Sequence, residues 1–394
     1  MNLTPALNQL QLKNARLRYS QYISACLRSD GEYCLTPSSD ASSYALCFAI
    51  FGYKLLHAQD MIDEHRENWD QKLRDGLKAH KSICECRDSL SNSKPYMQLL
   101  TFSLSALSIL GTLDSDLLTD AVMDVLPNSI EGALIDSGAL KGVARSGNQA
   151  MFFAILLIYA RDYLDLNAQA DINRWITLHR DSLNRFGFWG TSRTMSHLQF
   201  QNGYHQYEIF EYLHAENIPW DDAAAAVASL ADAEGHFAPY PGGGGCYDYD
   251  AVFVLTTKHE LALRYRKLLI CTAQSILNEQ NLDGGFCESL RIRPRSLGNF
   301  LRSIFHVFEG HGRARVERIR STLTLLRPKH NRIHTHWSEY SREWGESDLW
   351  DSWFRMLTLA RIDCALNPEN AKNWGFIDFP GIGFHPSHRK GKTK

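Results

Sequence analysis

The chain has 394 residues, of which 44% are hydrophobic and 22% charged, and its net charge is −2. Nucleic acid is excluded as a partner, because no basic stripe accompanies the aromatics. The longest apolar run, 151–160, is too short to cross a bilayer, so no transmembrane segment is expected.

The N-terminus lacks a basic stretch followed by an apolar run, so no signal peptide is expected. Residues 1–35 read as a first helix and an entry segment. The 9 cysteines are scattered, and only Cys84 and Cys86 are close, with no second pair at zinc-ribbon spacing. Reduced thiols in a cytoplasmic protein are the expectation.

Seven segments follow that are apolar almost all round: 42–57, 96–110, 148–161, 203–214, 247–259, 300–310 and 349–362. A helix apolar on every side is buried on every side. Segments 171–184, 220–233 and 261–280 instead carry one charged face. Glycine-aromatic loops end these amphipathic segments. Phe188, Phe237 and Phe286 recur every 49 residues, and Trp337 follows 51 residues later. A period of about 50 residues is the mark of a repeat architecture. No run reads as a strand, and Gly242 to Gly245 reads as a loop. The expected fold is all-α: an α/α toroid of two concentric helical rings, six to seven helical hairpins, with the apolar helices inside. No linker divides the chain, so 1–394 is expected to be a single domain, with 375–394 as a C-terminal tail.

Polar residues open the apolar segments: Asn148 after Arg145, the group Tyr204, His205 and Glu208, then Asp248 and Asp250, Asn299 and Arg302, and Asp348 and Asp351. In a ring these helix starts converge on one mouth. Aspartate and asparagine are also ordinary N-caps. Glu208, Asp250 and Arg302 lie past the cap, where a charge needs a partner or a wet cavity. Tyr204 and His205 share a helix face with Glu208, which suits proton transfer. Tyr247, Trp350 and Trp353 are either core or a wall that stabilises a cation.

Asp283-Gly284-Gly285-Phe286, and Gly235-His236-Phe237 through Pro241, Gly242 and Cys246 to Ala251, resemble the terpenoid-cyclase and protein-prenyltransferase superfamily. The resemblance covers roughly 171–362. Prenyltransferase β subunits hold zinc with Asp-x-Cys and a later histidine. Here Gly244 stands in place of the aspartate and Arg302 near the place of the histidine, so no metal and no cofactor is expected. Class II terpene cyclases carry Asp-x-Asp-Asp, whose middle aspartate protonates the substrate. Asp248-Tyr249-Asp250-Ala251 matches three of those four positions, and Asp250 falls on the acid.

The resemblance implies protonation-initiated cyclisation of an isoprenoid, an isomerase-type reaction. Asp250 would be the acid and Asp248 its orienting neighbour, with Glu208, His205 and Tyr204 as further catalytic candidates. Asn148, Tyr247, Arg302, Trp350, Asp351 and Trp353 would line the substrate. Toroids also host polysaccharide lyases and glycosidases, for which Tyr204, His205, Asn148 and Arg302 would suit a uronate-containing glycan. A non-catalytic scaffold and a homodimer are both compatible with the sequence.

Overall fold

The computed structural model describes residues 7–85, 93–113, 116–291, 297–325, 327, 332–334 and 341–386. Its regular structure is helical apart from β1 (Arg332–His334) and β2 (Ser341–Glu343), a short antiparallel pair, among the described residues. In chain order the helices begin with α1 (Gln9–Ala25), α2 (Ser43–Leu55), α3 (Gln59–Glu85), α4 (Lys94–Leu110), α5 (Asp116–Met123) and α6 (Ile130–Ser137). They continue with α7 (Ser146–Tyr163), α8 (Gln169–Asp181), α9 (His197–Tyr212), α10 (Trp220–Ala228) and α11 (Gly245–Thr256). The last are α12 (His259–Arg264), α13 (Arg266–Asn278), α14 (Leu297–Glu309), α15 (Gly312–Leu325) and α16 (Leu349–Leu366).

Six helices, α2, α4, α7, α9, α11 and α16, are buried along nearly their whole length. Their sequences leave no wet face, so each must be covered all round. Each packs on the next in that order, and α16 packs back on α2, which closes the circuit. Further helices pack against it: α3 on α2 and α4, α8 on α7, α10 on α11, α13 on α16, and α1 on α2 and α16. Serine hydroxyls cap α2 and α9 by accepting from Ala45 N and Gln199 N, and Asp348 caps α16 by accepting from Asp351 N at 2.7 Å.

The repeat is a turn whose register differs from the one expected. Asn184, Asp232 and Asn281 each donate N–H to the carbonyl four residues on, and each accepts at its carbonyl from a glycine three residues on. Those glycines, Gly187, Gly235 and Gly284, have φ of +75°, +80° and +94°, a region that residues with a Cβ avoid. The buried aromatic five residues on is Trp189, Phe237 or Phe286, so Trp189 holds the place expected for Phe188. A fourth copy was not foreseen: Arg28 bonds Glu32, Gly31 sits at φ +80°, and Tyr33 is the buried aromatic. Trp337 lies outside the described residues.

The seventh apolar segment, 300–310, is not part of the circuit. It lies in α14, which packs on α15 and leaves Phe300, Phe305 and Phe308 46%, 66% and 66% exposed. The reason is an insertion. Phe286 pairs directly with Asp348 in an isolated β-bridge, and Phe286 N donates to Ser352 Oγ at 2.8 Å. The third turn therefore delivers the chain straight to α16, and the residues between loop out.

The expected C-terminal tail is also partly built in. Trp374, Phe376, Phe379 and Phe384 are buried, Gly375 N donates to Leu55 O, and Arg361 Nη1 donates to Phe384 O at 2.9 Å.

Candidate active site

Asp248 and Asp250 sit two residues apart on α11 but in different surroundings. Asp248 is saturated. Its Oδ2 meets Arg355 Nη1 at 2.6 Å and His236 Nδ1 at 2.8 Å, and its Oδ1 accepts from Phe237 N at 3.0 Å. Ser352 makes the corresponding bond to Phe286 N on α16, so tying the turn to its helix is what this position does in both repeats. Burial pulls His236 down, but Asp248 and Glu279 raise it to about 10, and it stays an imidazolium at neutral pH. Arg355 also donates to the carbonyls of Gly242 and Glu288.

This network accounts for the glycine run. A Cβ on Gly243, whose φ is +67°, would stand 2.5 Å from Asp248 Oδ2, and one on Gly245 would stand 2.8 Å from Asp351 Oδ1. The backbone there approaches the protein's own carboxylates.

Asp250 is 1% exposed, and its Oδ1 has no hydrogen-bond partner. Burial, then the neighbouring Glu208 charge, lifts its carboxyl well above the usual range, against a hydrogen bond with Tyr204. Glu208 faces it from α9. Tyr249 donates its hydroxyl to Glu208 Oε1 at 2.6 Å, while Oε2 is unpartnered. Burial pushes Glu208 up to about 7. The Tyr204 phenol is raised well above its usual value by burial and by Asp250, so it stays protonated. Two carboxyls and two phenols thus meet between α9 and α11, with two carboxyl oxygens unmatched.

Above it lies a cationic corner that the sequence reading missed. Lys94 Nζ donates to Asn148 Oδ1 at 3.2 Å. Burial, then Arg145, lowers the ammonium below its usual range. His205 is 5% exposed, with Nδ1 unpartnered, and burial followed by the Lys94 charge holds its imidazole well below the usual range and therefore neutral. The signal for Lys94 was its place in the first turn of an otherwise apolar segment.

Aromatics from three helices of the circuit adjoin. Trp350 is half-buried and meets Phe48 edge-on at 5.2 Å, Phe102 at 6.2 Å and Phe354 at 4.9 Å. Trp353 is fully buried against Phe51 at 4.9 Å, which makes it core. Cys246 and Tyr247 are half-buried at the start of α11, and Tyr247 meets Tyr240 edge-on.

Asp351 belongs to a separate cluster. Arg342, from the insertion, donates to Asp351 Oδ2 at 2.8 Å, pairs with Asp348, and stands 3.5 Å from Glu288. Arg342 gave no sequence signal, because only the insertion's return path brings it there. Arg302 is exposed on α14, and the structure does not bring it to the cluster. Of the expected site residues, Tyr204, Glu208 and Asp250 come together, His205 and Asn148 share the Lys94 corner, and Asp248 and Asp351 are held in ion pairs. The zinc set of the prenyltransferases does not fit: Gly244 offers no ligand, and Arg302 is exposed on α14.

A cleft of about 400 Å³ lined by Arg185, Thr194, Met195, Asp222 and Ser229 lies by α10 and contains none of the candidate residues. No helix among the described residues is long and apolar enough to cross a membrane. No protein-family model matches the chain, and no curated protein is similar to it in sequence.

Proposed function

We propose that the six-helix circuit is the inner ring of an α/α toroid, and that the chain is an enzyme that starts the cyclisation or isomerisation of an isoprenoid by proton transfer from Asp250. The observation that carries this reading is the Asp250 carboxyl, buried, with one oxygen unpartnered and its pKa well above the carboxylate range. A carboxyl in that state holds a proton at neutral pH and has a site from which to give it. Its O–H adds the proton to one carbon of an alkene, and the other carbon becomes the cation. Trp350, half-buried beside Phe48, Phe102 and Phe354, offers a ring to that cation. Loss of a proton from the product cation to a base ends the reaction. Glu208, near pKa 7 and bonded to Tyr249, is suited to reload Asp250. Lys94 beside Asn148 gives an anionic substrate group a place to bind.

A lyase acting on uronates is the weaker reading. It needs Tyr204 as a base, and burial beside Asp250 and Glu208 keeps that phenol protonated. The test is a panel of linear isoprenoids and isoprenyl diphosphates, assayed in D₂O beside uronate-containing glycans. The reading requires an isoprenoid product carrying deuterium from solvent, formed by the wild type and not by Asp250→Asn. Turnover of glycans alone would replace it with the second reading.

A further inference from the structure

The turns at Asn184 and Asp232 differ in one side-chain atom, and the difference points to a metal. Both begin with a residue whose side-chain oxygen caps the turn: Asn184 Oδ1 accepts from Phe186 N and Phe188 N, and Asp232 Oδ1 accepts from Glu234 N and His236 N. In the asparagine copies the other side-chain atom is a nitrogen and donates, from Asn184 to Gly190 O and from Asn281 to Gly345 O. In the aspartate copy it is a second oxygen, and it faces His306 Nδ1 at 3.5 Å.

His306 is 3% exposed, and neither ring nitrogen has a hydrogen-bond partner. A buried imidazole with no partner is strongly disfavoured. The 3.5 Å separation is too long for a good N–H···O bond. It is close to the edge of about 3.3 Å that a tetrahedral zinc site with bonds near 2.0–2.1 Å would have. Glu309 lies one turn beyond His306 on the same face of α14. The ligand atoms of Asp232, His306 and Glu309 all lie within 4.8 Å of one another.

We propose that Asp232, His306 and Glu309 bind a divalent transition metal, zinc foremost, which pins the α14–α15 insertion to the second repeat turn. One nitrogen and two carboxylate oxygens leave a fourth position for water. The histidine favours zinc, nickel, iron or copper over magnesium and calcium. Arg318 is the neighbouring cation, 4.0 Å from Glu309 Oε2, but it already donates to His306 O at 2.9 Å and Leu230 O at 2.7 Å. The site is separate from Asp250 and stands or falls independently of the isoprenoid reading.

The test uses the full chain without a histidine tag, dialysed against zinc and then against metal-free buffer. Elemental analysis should find equimolar zinc in the wild type and none in His306→Ala or Glu309→Gln. Zinc should raise the Tm of the stripped wild type and leave both variants unmoved, and magnesium should not substitute. Glu309→Gln keeps an acceptor for Ala233 N, and unchanged far-ultraviolet dichroism would show that the loss is not one of folding. Equimolar zinc retained by both variants, or neither bound zinc nor a Tm shift in the wild type, would overturn the site.

Discussion

Arg355 on α16 donates to Asp248 on α11 at 2.6 Å, and both side chains are buried from solvent. Two residues along the same helix, Asp250 has no cation against it and keeps an unpartnered oxygen. One aspartate is paired with Arg355 and His236, and burial beside Glu208 raises the other well above the usual carboxylate range. On the proposed function, Asp248 serves stability and Asp250 the chemistry.

Asparagine substitutions should therefore separate the pair. Asp248→Asn leaves the buried Arg355 and His236 imidazolium with Glu279 as their remaining counter-charge, at 3.8 Å and 3.5 Å. Removing one partner of a buried ion pair typically destabilises by about 3–5 kcal/mol. Asp250→Asn replaces a neutral carboxyl with a neutral amide of the same shape, and should shift the urea midpoint much less. Equal losses in the two variants would contradict the assignment.

The raised pKa of Glu208 has a signed consequence for stability. Its folded value is about 7 against 4.5 when unperturbed, so the folded state binds the proton more tightly. That contribution is fully present below pH 4.5 and is lost as pH rises through 7. The difference amounts to about 3 kcal/mol. Urea unfolding of wild type and Glu208→Gln across this range should show the wild type losing stability relative to the variant as pH rises. Parallel curves would mean that Glu208 titrates normally.

The β-bridge between Phe286 and Asp348 predicts that the insertion is dispensable for the circuit. Replacing 292–340 by a short glycine-serine linker keeps Arg342 and its pairs with Asp351 and Asp348. The shortened chain should remain a cooperatively melting helical protein by circular dichroism. Loss of the cooperative transition would place α14 and α15 among the elements the circuit needs.

The circuit was legible in the sequence because its helices have no wet side. The run AMFFAILLIYA within α7 admits no other placement. The same test, applied strictly, argues against 300–310: Leu297, Leu301, Phe305 and Phe308 fall on one face of α14, and Arg302 falls off it. Evenness of spacing concealed this, since an insertion of about one repeat length puts a helix where the period expects one. Asp250 and Glu208 were legible as charges inside apolar segments. Arg355 and Arg361, inside the equally apolar α16, carried the same signal. The difference in surroundings between Asp248 and Asp250 was not legible, because it depends on Arg355 and His236, which are remote in sequence. Arg342 reaches Asp351 only through the path of the insertion, which no local pattern encodes.

The most direct test is the protonation state of Asp250 at neutral pH, read by infrared difference spectroscopy between wild type and Asp250→Asn. A protonated carboxyl shows a carbonyl stretch well apart from the carboxylate bands. A buried acid that can protonate an alkene should give that band at pH 7 in the wild type and in Glu208→Gln, and the band should vanish in Asp250→Asn. A carboxylate signal in its place would show Asp250 ionised, with no proton to give.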